Sequence, residues 1–141
     1  MYRLIADANL CSGCRICELV CSFHHYQEFN PSLGRIRIEI NRGIKPDTRT
    51  DQIDVPHVCQ QCSPALCAEA CSVEAIYWDP QYQLLRIDKE LCIGCGLCEE
   101  HCPHDMIRMV NDGQLAQKCD MCLGEPQCVS FCPRDALQLD K

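Results

Sequence analysis

Sixteen cysteines gathered into four blocks are the strongest constraint that this sequence places on its fold. Each block holds four cysteines within eleven to fourteen residues, and no cysteine lies elsewhere. The blocks are Cys11-x2-Cys14-x2-Cys17-x3-Cys21 (block one), Cys59-x2-Cys62-x4-Cys67-x3-Cys71 (block two), Cys92-x2-Cys95-x2-Cys98-x3-Cys102-Pro103 (block three) and Cys119-x2-Cys122-x5-Cys128-x3-Cys132-Pro133 (block four). A unit repeated in this way predicts one local structure that is used four times.

The cysteine spacing is typical of iron–sulfur ligation. Block three matches the bacterial run C-x2-C-x2-C-x3-C-P, which binds [4Fe-4S] clusters. Its two-residue steps let one loop wrap a cluster, while the x3 step places the third and fourth cysteines one helical turn apart. In two-cluster ferredoxins the fourth cysteine ligates the other cluster. The proline after it is typical of the first turn of a helix.

Two other uses of so many thiols compete with this interpretation. Zinc remains a rival for one or more sites, although zinc usually takes two separated C-x2-C pairs or mixed cysteine and histidine ligands. Eight disulfides would need an oxidising compartment. The start of the sequence, MYRLIADANLC, has no features of a signal peptide, and no apolar stretch is long enough to span a membrane. We therefore expect cytoplasmic localisation, free thiols and no membrane insertion.

Composition supports a fold in which metal helps to hold the chain together. Without cysteine the apolar share falls to about 36%, which is little for a conventional core. The net charge of −7 argues against nucleic-acid binding. Basic residues still concentrate in one segment, which holds Arg35, Arg37, Arg42, Lys45 and Arg49. This segment is interpreted either as a solvated strand face and loop or as a docking surface for an acidic partner.

The predicted fold class is α+β, with two nested bacterial dicluster-ferredoxin modules, short antiparallel hairpins, small helices and cluster-binding loops. The outer module comprises residues 1–34 and 111–141, which contain blocks one and four. The inner module comprises residues 55–110, which contain blocks two and three. Residues 35–54 form an inserted hairpin that either covers the inner module or docks a catalytic subunit.

Strand-like segments flank the blocks, and a dicluster module pairs its two terminal strands. We therefore expect Arg3–Ala6 to pair with Ala136–Leu139, and Val55–Val58 with Met106–Val110. Pro56 favours a short or edge strand. Alternating Ile36, Ile38 and Ile40 predict a strand that returns against residues 51–55. Turn signals predict a hairpin between AIYW and LLRI around Asp79-Pro80, and a tight turn at the NDG of residues 111–113.

All sixteen cysteines, in this order, resemble the four-cluster electron-transfer subunits of molybdenum and tungsten oxidoreductases. Residues 11–38 look most like the small subunit of tungsten aldehyde (ferredoxin) oxidoreductase complexes. The resemblance implies four [4Fe-4S] clusters with ligands exchanged between paired blocks. The implied ligand sets are site A (Cys11, Cys14, Cys17, Cys132), site B (Cys119, Cys122, Cys128, Cys21), site C (Cys59, Cys62, Cys67, Cys102) and site D (Cys92, Cys95, Cys98, Cys71). Cys21 and Cys71 depart from the pattern, since serine follows each of them.

The resemblance implies a chain that is not catalytic alone and relays single electrons within a hetero-oligomer. The implied partner is a large tungsten- or molybdenum-pterin catalytic subunit, with a flavin (FAD) subunit or a soluble ferredoxin as the second redox partner. The alternatives are a freestanding polyferredoxin, or a subunit of a dimethyl sulfoxide reductase-type, benzoyl-CoA reductase or carbon monoxide dehydrogenase complex. Since no block lacks a cysteine, we expect surface or supporting roles for the histidines, which are His24, His25, His57, His101 and His104.

Overall fold

The computed structural model describes residues 2–40 and 54–140. These residues form short strands and helices joined by the cysteine loops. In chain order the elements are β1 (Arg3–Ala6), α1 (Ile16–Tyr26), a 3-10 helix (Pro31–Leu33), β2 (Arg37–Glu39), β3 (Val55–His57), α2 (Leu66–Glu69), β4 (Ile76–Asp79), β5 (Leu84–Ile87), α3 (Leu97–His101), β6 (Arg108–Val110), β7 (Leu115–Gln117), a second 3-10 helix (Met121–Gly124), α4 (Gln127–Ser130) and β8 (Leu137–Asp140).

The strands form antiparallel pairs, as expected for an α+β fold of short hairpins. β1 pairs with β8, so that Arg3 lies opposite Asp140 and Leu4 opposite Leu139. β4 and β5 form the hairpin predicted around Asp79. α1 packs against α4, and α2 packs against α3, so blocks one and four lie together, as do blocks two and three. The nesting of two separate modules stays a prediction.

Pairing of the inner strands differs from the prediction. β3 pairs with β2 rather than with β6, and β6 pairs with β7. The tight turn predicted at residues 111–113 joins β6 to β7. Pairing two strands that are adjacent in the chain costs less loop-closure entropy than pairing two distant strands. Pro56 lacks an amide proton and lies opposite Ile38 in a three-residue strand, in keeping with its predicted short strand. Val55, at the end of the predicted return strand, lies opposite Glu39 as expected, whereas residues 51–53 lie outside the described residues.

The x3 steps coincide with helices, but the prolines do not open new ones. Each helix begins one residue before the third cysteine of its block, and in blocks two, three and four it ends before the fourth. Pro103 and Pro133 therefore follow the ends of α3 and α4. The prediction that they start a helix was wrong. Proline is also common just after the end of a helix, because it cannot continue the helix.

Cysteines contribute to both hydrophobic cores of the described residues. The larger core joins segments from all parts of the chain: Leu4, Cys17, Cys21, Ile36, Ile38, Val58, Leu84, Met121, Cys128 and Leu137. The smaller core comprises Ile76, Leu85, Cys98, Ile107 and Ala116. Ile36 and Ile38 are buried as their alternation predicted, whereas Ile40 is exposed. No helix in residues 2–40 and 54–140 combines the length and apolar character needed to span a membrane.

Candidate metal-cluster sites

The cysteines expected to share a cluster lie around common recesses. One recess is lined by all four cysteines of site A, a second by those of site C and a third by those of site D. They enclose about 340, 470 and 320 Å³ of empty space, part of it open to solvent. Recesses of similar size, each with four thiols from two blocks, suit one kind of group bound three times.

The cysteines of site B also lie close together and are more deeply buried. Burial raises the pKa of Cys128, and the nearby charges of Cys119, Cys21 and Cys122 raise it further. Burial is likewise the main cause of the raised pKa of Cys119. All sixteen cysteines are free thiols, so the fold contains none of the eight disulfides that a secreted scaffold would use.

The four cysteine loops share a left-handed residue at the same position. The residue before the second cysteine has a positive φ in every block: Gly13 (70°), Gln61 (48°), Gly94 (71°) and Met121 (50°). A left-handed residue in a tight loop turns successive N–H groups to one side and forms a concavity for anions, including iron–sulfur clusters. Gln61 and Met121 adopt this conformation although they are not glycine, so the loop geometry outweighs the preference of the residue.

Backbone amides also donate to the sulfur of the fourth cysteine in each block. Ala75, Met106 and Ala136 each lie four residues after that cysteine, and their amide nitrogens are 3.2, 3.3 and 3.4 Å from Sγ of Cys71, Cys102 and Cys132. In block one α1 continues through Cys21, and the donor is instead the amide of Arg35, at 3.2 Å. N–H donors aimed at sulfur stabilise a thiolate and adjust the potential of a cluster bound to it.

The donor set fits a [4Fe-4S] cluster at each site. Burial raises the pKa of Cys17 to about 12 and that of Cys98 to about 11, so these thiols stay protonated when nothing binds them. A metal that displaces the protons removes this penalty. The Nε of Arg35 is the one buried side-chain nitrogen or oxygen without a hydrogen-bond partner among residues 2–40 and 54–140. An unused donor beside Cys21 suits a negatively charged group at site B.

An ionic network that the sequence did not reveal adjoins site B. Arg35 Nη1 lies 3.0 Å from Asp120 Oδ2, and both side chains are largely buried. His25 Nε2 lies 3.5 Å from Asp120 Oδ1 and 4.0 Å from the sulfur of Cys122. Burial, with the charge of Arg35, lowers the pKa of His25 to about 4, so its imidazole is neutral. Burial acts to raise the pKa of Asp120, but the charge of Arg35 and the other groups around the carboxylate, including the amide of Cys122, together outweigh it and hold that pKa below its usual range.

The position of Arg35 corrects, for this one residue, the expectation that the basic segment forms a solvated or docking face. Arg35 is 8% exposed and faces Asp120, whereas Arg37 is partly exposed and pairs with the exposed Asp105. Arg42, Lys45 and Arg49 lie outside the described residues. The only signal that could have identified Asp120 was its position between two cysteines of block four, where any side chain must lie near the cluster site.

A mixed site is the structural alternative at block four. The ligand atoms of His24, His25 and Cys122 all lie within 4.8 Å of one another, close enough to hold a metal ion such as zinc. Cys122 would then be shared between this group and site B. His57 and His101 have other contacts, since His57 pairs with Glu39 and His101 lies 2.8 Å from the carbonyl of Leu97.

Comparison with known proteins assigns these loops to a family. Residues 51–141 match the sequence profile described as a 4Fe-4S dicluster domain. The chain belongs to the 4Fe-4S dicluster family. This confirms the ferredoxin-like, iron–sulfur character expected from the spacing, at the level of the family. Four clusters, and the ligand set of each, are not part of the match, which covers blocks two, three and four.

Several relatives of this dicluster protein carry names related to electron transfer. The chain is 36% identical over 122 residues to the "aliphatic sulfonate oxidoreductase, polyferredoxin-like subunit" of Pyrococcus furiosus, covering 86% of this chain and 65% of that one. It is 32% identical over 139 residues to the "electron transport protein HydN" of Escherichia coli, covering 84% and 74%. It spans only 17% of a third relative, the putative oxidoreductase UacF of E. coli.

Solved structures show the same fold in a larger assembly. A chain of the active-site complex BamBC of benzoyl coenzyme A reductase, determined with 1,5-dienoyl-CoA, aligns with a TM-score of 0.53 and 27% identity. The alignment covers 99% of this chain and 75% of the other. The dicluster protein is therefore similar to a polyferredoxin-like subunit and an electron transport protein, and to a chain of an enzyme complex.

Proposed function

We propose that this dicluster protein is an electron-transfer subunit that carries four [4Fe-4S] clusters and is not catalytic alone. In this proposal it relays single electrons between a large tungsten- or molybdenum-pterin catalytic subunit, of the aldehyde oxidoreductase type, and a second redox partner. That second partner is a flavin (FAD) subunit or a soluble ferredoxin, and the hetero-oligomer is cytoplasmic. The outer module of residues 1–34 and 111–141 would hold sites A and B, and the inner module of residues 55–110 would hold sites C and D.

One observation carries this proposal: each of the three recesses described above combines thiols from two paired blocks. Site A combines three thiols of block one with Cys132 of block four, and site C combines three of block two with Cys102 of block three. Site D combines three of block three with Cys71. This exchange is the arrangement of two-cluster ferredoxins, in which the fourth cysteine reaches the neighbouring cluster.

The shared helices also support an order for the sites. Cys17 of site A and Cys21 of site B lie one turn apart on α1. Cys98 of site D lies on α3, and Cys102 of site C caps the end of that helix. Between the pairs, the charge of Cys59 of site C is close enough to add to the effect of burial in raising the pKa of Cys119 of site B. The proposed order is therefore A, B, C, D.

Exposure supports contact with partners at the two ends of this order. Of the sixteen cysteines, Cys14 and Cys95 are the exposed ones, and they belong to site A and site D. The thiols at sites B and C are buried or partly buried. When bound, a [4Fe-4S] cluster exchanges one electron at a potential set by net charge, hydrogen bonds to sulfur and solvent exposure. The protein's part is to hold the thiolates, donate amides to them and exclude water from the middle of the series.

Two types of catalytic partner, and a carrier without one, are the candidates. The similarity of residues 11–38 to the small subunits of tungsten aldehyde oxidoreductases favours a pterin enzyme of that type. The alignment with a BamBC chain supports, as a second candidate, a partner of the benzoyl-CoA reductase type. A freestanding polyferredoxin is the third candidate, but the polyferredoxin-like relative is named as a subunit of an oxidoreductase, which favours a complex.

Anaerobic purification with metal analysis tests the proposal. Four clusters predict about sixteen irons and sixteen acid-labile sulfides per chain. About eight irons would contradict the four-site arrangement, and zinc without sulfide would contradict electron transfer itself. The chain should co-purify, from the native host, with a large subunit that contains tungsten or molybdenum. A monodisperse monomer without such a partner would favour the freestanding carrier.

A further inference from the structure

Lys118 is a buried lysine with an unusual environment. The residue is only 3% exposed, although lysine is almost never fully buried unless it is paired. Nζ donates to the carbonyl oxygens of Leu85 and Cys119, at 2.9 and 3.1 Å. Within residues 2–40 and 54–140 it forms no ion pair with a carboxylate, unlike the buried Arg35, which pairs with Asp120. Two carbonyls satisfy two of its three donors and do not neutralise its charge.

The location of Lys118 is the junction between sites B and C. It precedes Cys119 of site B in the chain and lines the recess of site C. Its positive charge opposes the effect of burial on the thiols of both sites: burial raises the pKa of Cys67 and of Cys119, and Lys118 lowers both. The cysteines themselves supply no positive charge at the junction between sites B and C.

A second buried side chain binds the same two residues as Lys118. Gln61, which is 1% exposed, donates from Nε2 to the carbonyl of Cys119 at 3.0 Å. Its Oε1 accepts the amide of Leu85 at 2.9 Å. Lys118 and Gln61 thus contact the same two residues, Leu85 and Cys119, and join block two to block four. A charge that is anchored on both sides cannot swing out toward water when a neighbouring group changes its charge.

We propose that Lys118 raises the reduction potentials of the two central clusters by holding a permanent positive charge between sites B and C. This inference rests on the proposed function, since it assumes clusters at those sites. Reduction adds one electron to a cluster, and no bond to Lys118 forms or breaks. The added negative charge is stabilised by a nearby cation in a medium of low dielectric, so the central clusters accept an electron more readily than they would without it.

The test is a potentiometric titration with dithionite, followed by electron paramagnetic resonance, on the anaerobically purified protein. Lys118→Gln keeps a donor for the two carbonyls but removes the charge, and Lys118→Arg keeps the charge. We expect Lys118→Gln to make reduction of two of the four clusters about tenfold less favourable. For one electron, this lowers each of the two midpoint potentials by about 59 mV. We expect Lys118→Arg to keep both potentials at their wild-type values.

Lys89→Gln is the matched control. Lys89 lines a polar recess together with Lys118, but it is exposed, so solvent and salt screen its charge. Its removal should leave all four potentials unchanged. Lys118→Met serves as a second neutral variant if Lys118→Gln binds less iron, because an apolar side chain of similar length fills the same space.

Iron content separates the failure of this inference from the failure of the proposed function. Wild-type protein that binds no iron and sulfide overturns both. Full iron with unchanged potentials in Lys118→Gln, or equal shifts in Lys89→Gln, overturns only the role of Lys118. Loss of iron from both neutral variants but not from Lys118→Arg also overturns it, because the charge would then serve assembly rather than potential.

Discussion

Replacing Gly94 by alanine should destabilise the protein through one close backbone approach. Gly94 precedes the second cysteine of block three and has a φ of +71°. A Cβ there would lie 2.6 Å from the carbonyl oxygen of Gln114 and 2.7 Å from that of Gly113, in the β6–β7 turn. Ordinary contact begins at 3.4 Å, so the loop or the turn must move by about 0.8 Å. Neither partner is a flexible side chain that could rotate away.

The structure also supplies the reference for this change. Gly113 has a φ of +79° but no atom within 4 Å of its added Cβ. Gly113→Ala should therefore cost only the left-handed penalty, about 1 kcal/mol. Gly94→Ala adds an overpacking cost of about 1–3 kcal/mol, for a total of about 2–4 kcal/mol.

Anaerobic denaturant titration of both variants measures the difference, and iron analysis follows the cluster. We expect Gly94→Ala to lose iron from site D, because the displaced loop carries Cys92 and Cys95. Gly113→Ala should keep its full iron content. Equal free energies of unfolding in the two variants, with iron retained in both, would refute the close approach of block three to the β6–β7 turn.

Three further predictions concern the cysteine sites and their surroundings. Cys102→Ala should abolish the spectrum of the cluster at site C and leave a cluster at site D, as Mössbauer or paramagnetic resonance spectra would show; loss at site D alone would contradict the exchange of ligands. Asp120→Asn should cost about 3–5 kcal/mol in unfolding free energy, because it leaves the buried Arg35 without its partner. Arg37→Gln, which breaks the exposed pair with Asp105, should cost about 0–1 kcal/mol. Similar costs for the two variants in chemical denaturation would count against the burial of the Arg35–Asp120 pair. Removal of iron by a chelator under reducing conditions should unfold the chain as judged by circular dichroism, since cysteines form part of both cores, and a fully folded apoprotein would contradict this dependence.

The parts of the fold that follow from local sequence signals could be predicted. The cysteine blocks, the start of each helix just before a third cysteine, and the β4–β5 hairpin depend on residues close together in the chain. In that hairpin Asp79 accepts the amides of Gln81 and Tyr82 and pairs with Arg86, so the turn is built from the residues that predicted it. Such contacts need no knowledge of the rest of the molecule.

The parts that failed depend on which distant segments meet. The predicted return of residues 36–40 against residues 51–55 is met where Glu39 lies opposite Val55, but the predicted pairing of β3 with β6 is not met, because nothing in either of those strands identifies its partner. Arg35 alternates with isoleucines like any solvated strand residue, and its burial follows only from the position of Asp120 far along the chain. Lys118 looks like an ordinary surface lysine until the structure places Leu85 beside it.

The exchange of cysteines between blocks has a consequence for biosynthesis. The thiols around sites C and D all lie between residues 59 and 102, and a ribosome delivers them well before Cys119. In the proposed ligand sets, sites A and B each require thiols from blocks one and four, so site B cannot be completed until Cys128 has emerged, and site A until Cys132 has. Cluster insertion should therefore proceed from the middle of the chain outward, and a chain released early would carry half of its metal together with a block of unprotected thiols.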